Sequence, residues 1–185
     1  MFILIKKFFR PTSLFCRRGG QGRGDMKSIL FVCLGNICRS PLAEGILRHK
    51  AEQKGIKLKI ESAGTESLHV GENPDRRSVK VAKEYGLDIS KQVARQVRGE
   101  DFDKFDKILV ADKDVYNELM AFIRNDKDKK KIDFIMNCAT PDCNTGVPDP
   151  YYGGQDGFEK VYKMLDEACE KIIQELETGN NEIKK

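Results

Sequence analysis

From Lys27 onward, apolar and polar positions follow two alternating rhythms. Ser28 to Cys33 (SILFVC) is an unbroken β-branched and aromatic run, the pattern of a strand buried on both faces. Ser40-Pro-Leu-Ala-Glu opens a helical segment, with Pro41 in its first turn and Leu42, Ile46 and Leu47 on one side. Lys57 to Ser62 predicts a second strand closed by Ala63-Gly64. A helix follows from Pro74 through Val81 and Ala82 to Tyr85-Gly86, where glycine stops it. Phe105 to Ala111 predicts a third strand, Lys113 to Arg124 a helix, and Ile132 to Met136 a fourth strand. A loop rich in Pro, Gly, Asp and Asn then runs from Asn137 to Gly154. The last helix, Gln155 to Leu176, places Phe158, Val161, Tyr162, Leu165, Ala168, Cys169, Ile172 and Leu176 on one stripe. Alternating β and α segments predict an α/β fold, a parallel sheet with helices on both faces. Ligands of such sheets sit beyond the carboxyl ends of the strands.

Composition narrows the function. At 185 residues and 21.0 kDa the chain is sized for one domain. Its longest apolar run, Ile29 to Leu34, is six residues, against the roughly 20 that a membrane-spanning helix needs. The net charge of +4 suggests a polyanion binder, but residues 1–25 hold six of the 33 basic groups and one of the 29 acidic ones. The remaining 27 against 28 leave residues 26–185 nearly neutral, which speaks against nucleic acid as partner. Residues 1–25 are read as a basic extension outside the fold, and residues 26–185 as a single catalytic domain. The extension is either an organellar presequence or the product of an upstream start, with Met26 as the true first residue. Six cysteines (16, 33, 38, 138, 143, 169) without a secretory signal read as free thiols of a reducing, cytoplasmic compartment rather than a disulfide framework.

The candidate chemistry lies where the first strand meets the first helix, Val32-Cys33-Leu34-Gly35-Asn36-Ile37-Cys38-Arg39-Ser40-Pro41. Five residues, Leu34, Gly35, Asn36, Ile37 and Cys38, separate Cys33 from Arg39. They can wrap into a half-circle with their N–H groups turned inward and the positive end of a helix behind them, a cradle for a phosphate. Gly35 and Asn36 are the residue types that best tolerate the left-handed backbone such a loop requires. Arg39 offers a planar fork to two phosphate oxygens. The same positive potential is expected to lower the pKa of Cys33 and make it a thiolate nucleophile. Ser40 is placed to donate a hydrogen bond to that sulfur. The segment lacks the Gly-Lys-Ser/Thr ending of a nucleotide-binding phosphate loop.

This strand and loop resemble the signature of the low-molecular-weight protein tyrosine phosphatases almost letter for letter. The likeness extends over residues 27 to about 176 through Ser62-Ala63-Gly64-Thr65, Ala94-Arg95-Gln96, Asp101-Phe102 and Asp149-Pro150-Tyr151-Tyr152-Gly153. The resemblance implies a three-layer fold with a four-stranded parallel sheet, no metal or other cofactor, and hydrolysis of phosphotyrosine proteins through a cysteinyl-phosphate. It makes Cys33 the nucleophile, Arg39 the phosphate-binding cation and Asp149 the general acid. Tyr151 and Tyr152 line the cleft, and the family's opposite wall, often aromatic, falls at Leu68 and His69, a departure from the pattern, with His69 read as a surface residue rather than a catalytic one. It further implies a reversible Cys33–Cys38 disulfide, and loop-shaping hydrogen bonds from Asn36 and Ser62. Asp112 either braces Arg39 or caps the next helix.

Alternatives of the same loop are protein arginine phosphatase, disfavoured by Ile37 and the double tyrosine, and arsenate reductase. The latter needs additional redox cysteines in mid-chain, and residues 70–137 contain none. A catalytically silent phosphoanion-binding adaptor would typically have lost one of Cys33, Arg39 or Asp149. A four-cysteine zinc site joining Cys138 and Cys143 to Cys33 and Cys38 would set Arg39 against a metal cation.

Overall fold

The computed structural model describes residues 26–182; the expectations for residues 1–25 lie outside them. The element order is β1 (Ser28–Cys33), α1 (Arg39–Gln53), β2 (Lys59–Gly64), α2 (Arg76–Glu84), α3 (Asp101–Lys104), β3 (Lys107–Val110), α4 (Lys113–Leu119), α5 (Asp126–Lys129), β4 (Ile132–Phe134) and α6 (Gln155–Glu182). The four strands form one parallel sheet in the order β2-β1-β3-β4.

Side-chain parity along β1 divides the core into two. Ile29, Phe31 and Cys33 face one side, packing with Leu42, Ile46 and Leu47 of α1 and with Phe158, Val161, Leu165 and Ile172 of α6. Leu30 and Val32 face the other, packing with Phe102 of α3, Phe105, and Val115 and Leu119 of α4. A strand with both faces covered has no polar alternation, which is why SILFVC reads as a solid apolar run.

Most boundaries fall within two residues of expectation; α6 runs on from Leu176 to Glu182, and the other larger differences have local causes. The helix expected to reach Arg124 ends at Leu119 in a 3-10 turn, Met120–Phe122. A separate turn, α5, starts beyond it because the Asn125 side chain accepts from the N–H groups of Lys127 and Asp128. The fourth strand stops at Phe134, since Ile135–Cys138 coils into a 3-10 turn. There the Asn137 amide donates to Asp133 at 2.7 Å and to Asn144 at 2.9 Å, gathering the start of the long loop. Among the described residues no helix is long and apolar enough to cross a membrane.

Burial raises the pKa of four groups in this core. Cys38 is pushed up to about 12 by burial, with the carboxylate of Asp75 adding. Burial likewise takes Tyr162 to about 12 and lifts Cys138 and Cys169. Ordinary values are 9.0 for the thiol and 10.0 for the phenol. An unfolded chain therefore sheds these protons first, while the folded chain keeps them. The stabilisation is complete below the unfolded values and is lost as pH rises through the folded ones. Urea midpoints are expected to hold steady up to about pH 9 and then fall progressively toward about pH 11; a flat profile over the alkaline range would contradict the burial of these groups.

Candidate active site

The nucleophile's loop is shaped by what borders it. Cys33 lies opposite Gly64 in the β1–β2 register. A Cβ on Gly64 would sit 2.5 Å from the Leu34 carbonyl oxygen and 3.1 Å from the Asn36 nitrogen, so only glycine lets the loop fold back over β2. Asn36 carries the left-handed turn, with φ of 57°. Gly35 does not take a positive φ, which corrects the expectation for it. A Cβ there would lie 2.8 Å from the His69 ring, so glycine answers close approach rather than backbone twist. α1 begins behind the loop with no side-chain cap at Cys38 and no acid in its first turn, leaving the helix N-terminus open to an anion.

A hydrogen-bonded chain orients the groups beneath the sulfur. Arg95 donates its backbone N–H to Asn36 Oδ1 at 3.0 Å, which settles which end of that amide points where. Asn36 Nδ2 then donates to both Ser40 Oγ and Ser62 Oγ at 2.9 Å. Ser62 passes its own hydrogen to Glu44, a buried carboxylate on α1. With one lone pair occupied by Asn36, the Ser40 hydroxyl can aim its hydrogen at Cys33 Sγ, 3.0 Å away, or at the Ala63 carbonyl, 3.3 Å away. Cys33 itself is 2% exposed.

Arg39, 3% exposed, forms ion pairs with Asp112 and with Asp149 and donates to the Val147 carbonyl at 3.2 Å. Burial opposes its charge, but Cys33, Asp149 and Asp112 outweigh burial and raise its pKa. Asp112 fills both roles considered for it. One oxygen meets Arg39 while the other accepts the Val115 N–H at 2.8 Å as the cap of α4. The long loop returns to this point because Val147 donates to the Ala111 carbonyl at 2.7 Å and buries its side chain. Two residues on, Asp149 Oδ2 reaches Arg39 Nη2 at 2.8 Å and Oδ1 accepts the Tyr151 N–H at 3.0 Å.

Of the expected wall residues, Tyr151, 40% exposed, lies between the rings of His69 and Tyr152. Its ring centroid is 6.4 Å from that of His69 and 5.2 Å from that of Tyr152. Tyr152 is 94% exposed and Leu68 77%, so both stand at the rim. The ring that crosses toward Gly35 is that of His69, turned inward with Nδ1 at 2.8 Å from Glu72. Of the two residues expected on that side, it is His69 whose ring borders the loop. Ile37 and Cys38 are buried in the loop, and the thiols of Cys33, Cys38, Cys138, Cys143 and Cys169 are free. No cluster of three or more His, Cys, Asp or Glu side chains among the described residues is arranged to hold a metal, and Cys138 and Cys143 do not join the first pair.

Sequence reasoning passed over Glu44 and Arg77. Glu44 was within reach, because Ser40 and Glu44 stand four apart on a helix and so share a face. Arg77 has no such signal.

A parallel α/β sheet that delivers a cysteine into a five-residue anion loop closed by arginine, with an aspartate brought to its mouth, defines a cysteine-dependent phosphatase. The family model described as Low molecular weight phosphotyrosine protein phosphatase matches residues 28–182, and the chain belongs to that family. The low molecular weight protein-tyrosine-phosphatase YfkJ of Bacillus subtilis is 38% identical over 82% of this chain and 97% of its own. The low molecular weight phosphotyrosine protein phosphatase of Gallus gallus is 36% identical over 82% and 96%. A crystal structure of a protein tyrosine phosphatase from Entamoeba histolytica superposes with a TM-score of 0.76 at 40% identity, covering 83% of this chain and 99% of that one.

Proposed function

We propose that this protein tyrosine phosphatase works through Cys33, Arg39 and Asp149. The single observation that carries the reading is the Arg39–Asp149 contact at 2.8 Å, which brings a carboxylate 110 positions away in sequence to the loop that begins at Cys33. The substrate phosphate seats among the N–H groups of Leu34 to Arg39, and the Arg39 fork turns from Asp149 to two of its oxygens. Cys33 Sγ attacks phosphorus in line as the P–O bond to the aryl group breaks, and Asp149 gives the departing oxygen its proton. In the second half Asp149 takes a proton from water, the water oxygen bonds to phosphorus, and the S–P bond breaks. Phosphate leaves and Cys33 is restored, with the Ser40 hydroxyl donating its hydrogen to the leaving thiolate. Tyr151 and His69 flank the aryl ring, with Leu68 and Tyr152 at the entrance.

Asp149→Asn is expected to lower kcat/KM for phosphotyrosine and phenyl phosphate by about 10²-fold, and to cost little for dinitrophenyl phosphate, whose leaving group needs no proton. An equal loss on all esters would contradict the acid role. Phosphoarginine peptides assayed in parallel are expected to be the poorer substrates. We further assign the enzyme to a reducing, cytoplasmic compartment, in keeping with its free thiols, and Cys38 to a reversible disulfide with Cys33 under oxidation.

A further inference from the structure

Arg77, in the first turn of α2, uses its whole guanidinium to join two loops. Nε donates to Asp75 Oδ1 at 3.0 Å and Nη2 to Asp75 Oδ2 at 2.8 Å, a two-pronged grip on the residue that caps α2. Asp75 in turn donates its backbone N–H to the Ile37 carbonyl at 2.8 Å, inside the nucleophile's loop. On the other side Arg77 Nη1 donates to the carbonyls of Tyr151 at 3.0 Å and Gly153 at 3.2 Å. Its Cζ lies over the ring of Phe158, which is fully buried at the start of α6, 4.5 Å from the centroid, and 5.4 Å from the Tyr151 centroid.

The residue whose carbonyl Arg77 grips is the one whose N–H orients the carboxylate. The Tyr151 carbonyl accepts from Arg77 while the Tyr151 N–H donates to Asp149 Oδ1. The segment's own bonds, such as Gly153 N–H to the Pro150 carbonyl at 2.9 Å, are local. Residues Tyr151 to Gly154 are exposed, so little packing fixes them.

We propose that Arg77 is a positioning residue for the general acid, locking the Asp149–Gly153 loop to the Cys33–Arg39 loop through Asp75. A lysine at 77 keeps the charge but has one nitrogen, and cannot serve a carboxylate and two carbonyls at once. The inference rests on the acid role given to Asp149 above.

The test is kcat/KM for a series of aryl phosphates of rising leaving-group pKa. It is measured on the full chain and on Arg77→Gln, Arg77→Lys, Asp149→Asn and the Arg77→Gln/Asp149→Asn double variant. Because kcat/KM ratios between esters do not depend on the folded fraction, poor folding of a variant does not obscure them. Arg77→Gln is expected to lose about tenfold or more on phenyl phosphate but less than about threefold on dinitrophenyl phosphate, with Arg77→Lys in between. In the Asp149→Asn background the Arg77 change is expected to add less than about twofold. A uniform loss across the series, or a full further loss in the double variant, would overturn the inference while leaving Asp149 as acid. A series for Asp149→Asn as shallow as that of the full chain would overturn both.

Discussion

Cys33→Ser is expected to lower turnover of phosphotyrosine peptides and aryl phosphates by about 10⁴-fold or more, to the background set by anion binding alone. The hydroxyl is close in size to the thiol and keeps a partner in Ser40, so the loop survives and the variant should still bind inorganic phosphate or vanadate. What disappears is a sulfur able to carry negative charge without a base bonded to it: the hydrogen-bond partner of Cys33 Sγ is the Ser40 hydroxyl, not an imidazole. A serine at this position would need a base that the site does not supply. Steady-state assays with EDTA present, paired with phosphate binding by calorimetry, check both halves. Retained turnover in this variant would remove Cys33 from the mechanism.

Arg39→Lys is expected to cost on the order of 10³-fold in kcat/KM and to weaken competitive inhibition by phosphate in parallel. Arg39 meets Asp112, the Val147 carbonyl and Asp149 from one buried plane, and the proposed transition state asks the same plane to hold two equatorial oxygens. A lysine ammonium is a single point and cannot hold both the brace and the substrate. The loss should appear equally on good and poor leaving groups, which separates it from Asp149→Asn. A loss confined to poor leaving groups would mean that Arg39 serves the acid rather than the phosphate.

The nucleophile's loop was legible because its parts are contiguous. A buried strand, a Gly-Asn pair, an arginine and a helix start occur within ten residues, and local geometry follows from local order. Parity along SILFVC likewise places Cys33 on the face shared with α1 and α6. Asp149 could be proposed only through resemblance, since its position depends on Val147 joining the end of β3, a contact between distant segments. Arg77 carries no signal in the sequence because a charged residue on a helix ordinarily marks a solvated face, and Glu44 only the weak one of its spacing from Ser40. The pairing of Glu44 is set by Ser62 from β2 and that of Arg77 by the carbonyls of the 151–153 loop. His69 reads as a surface residue because a single polar ring has no periodic signature; in the structure it is partly exposed, with its ring edge against Gly35. The short turns α3 and α5 lie below the length at which apolar periodicity can be read.

The covalent step is the claim on which all these expectations rest, and rapid quenching with ³²P-labelled aryl phosphate tests it directly. Denatured, proteolysed samples taken within the first turnover are expected to carry label on the peptide containing Cys33, approaching one phosphoryl group per active site, with none in Cys33→Ser. Turnover proceeding with no labelled peptide, or with label on another residue, would contradict the mechanism.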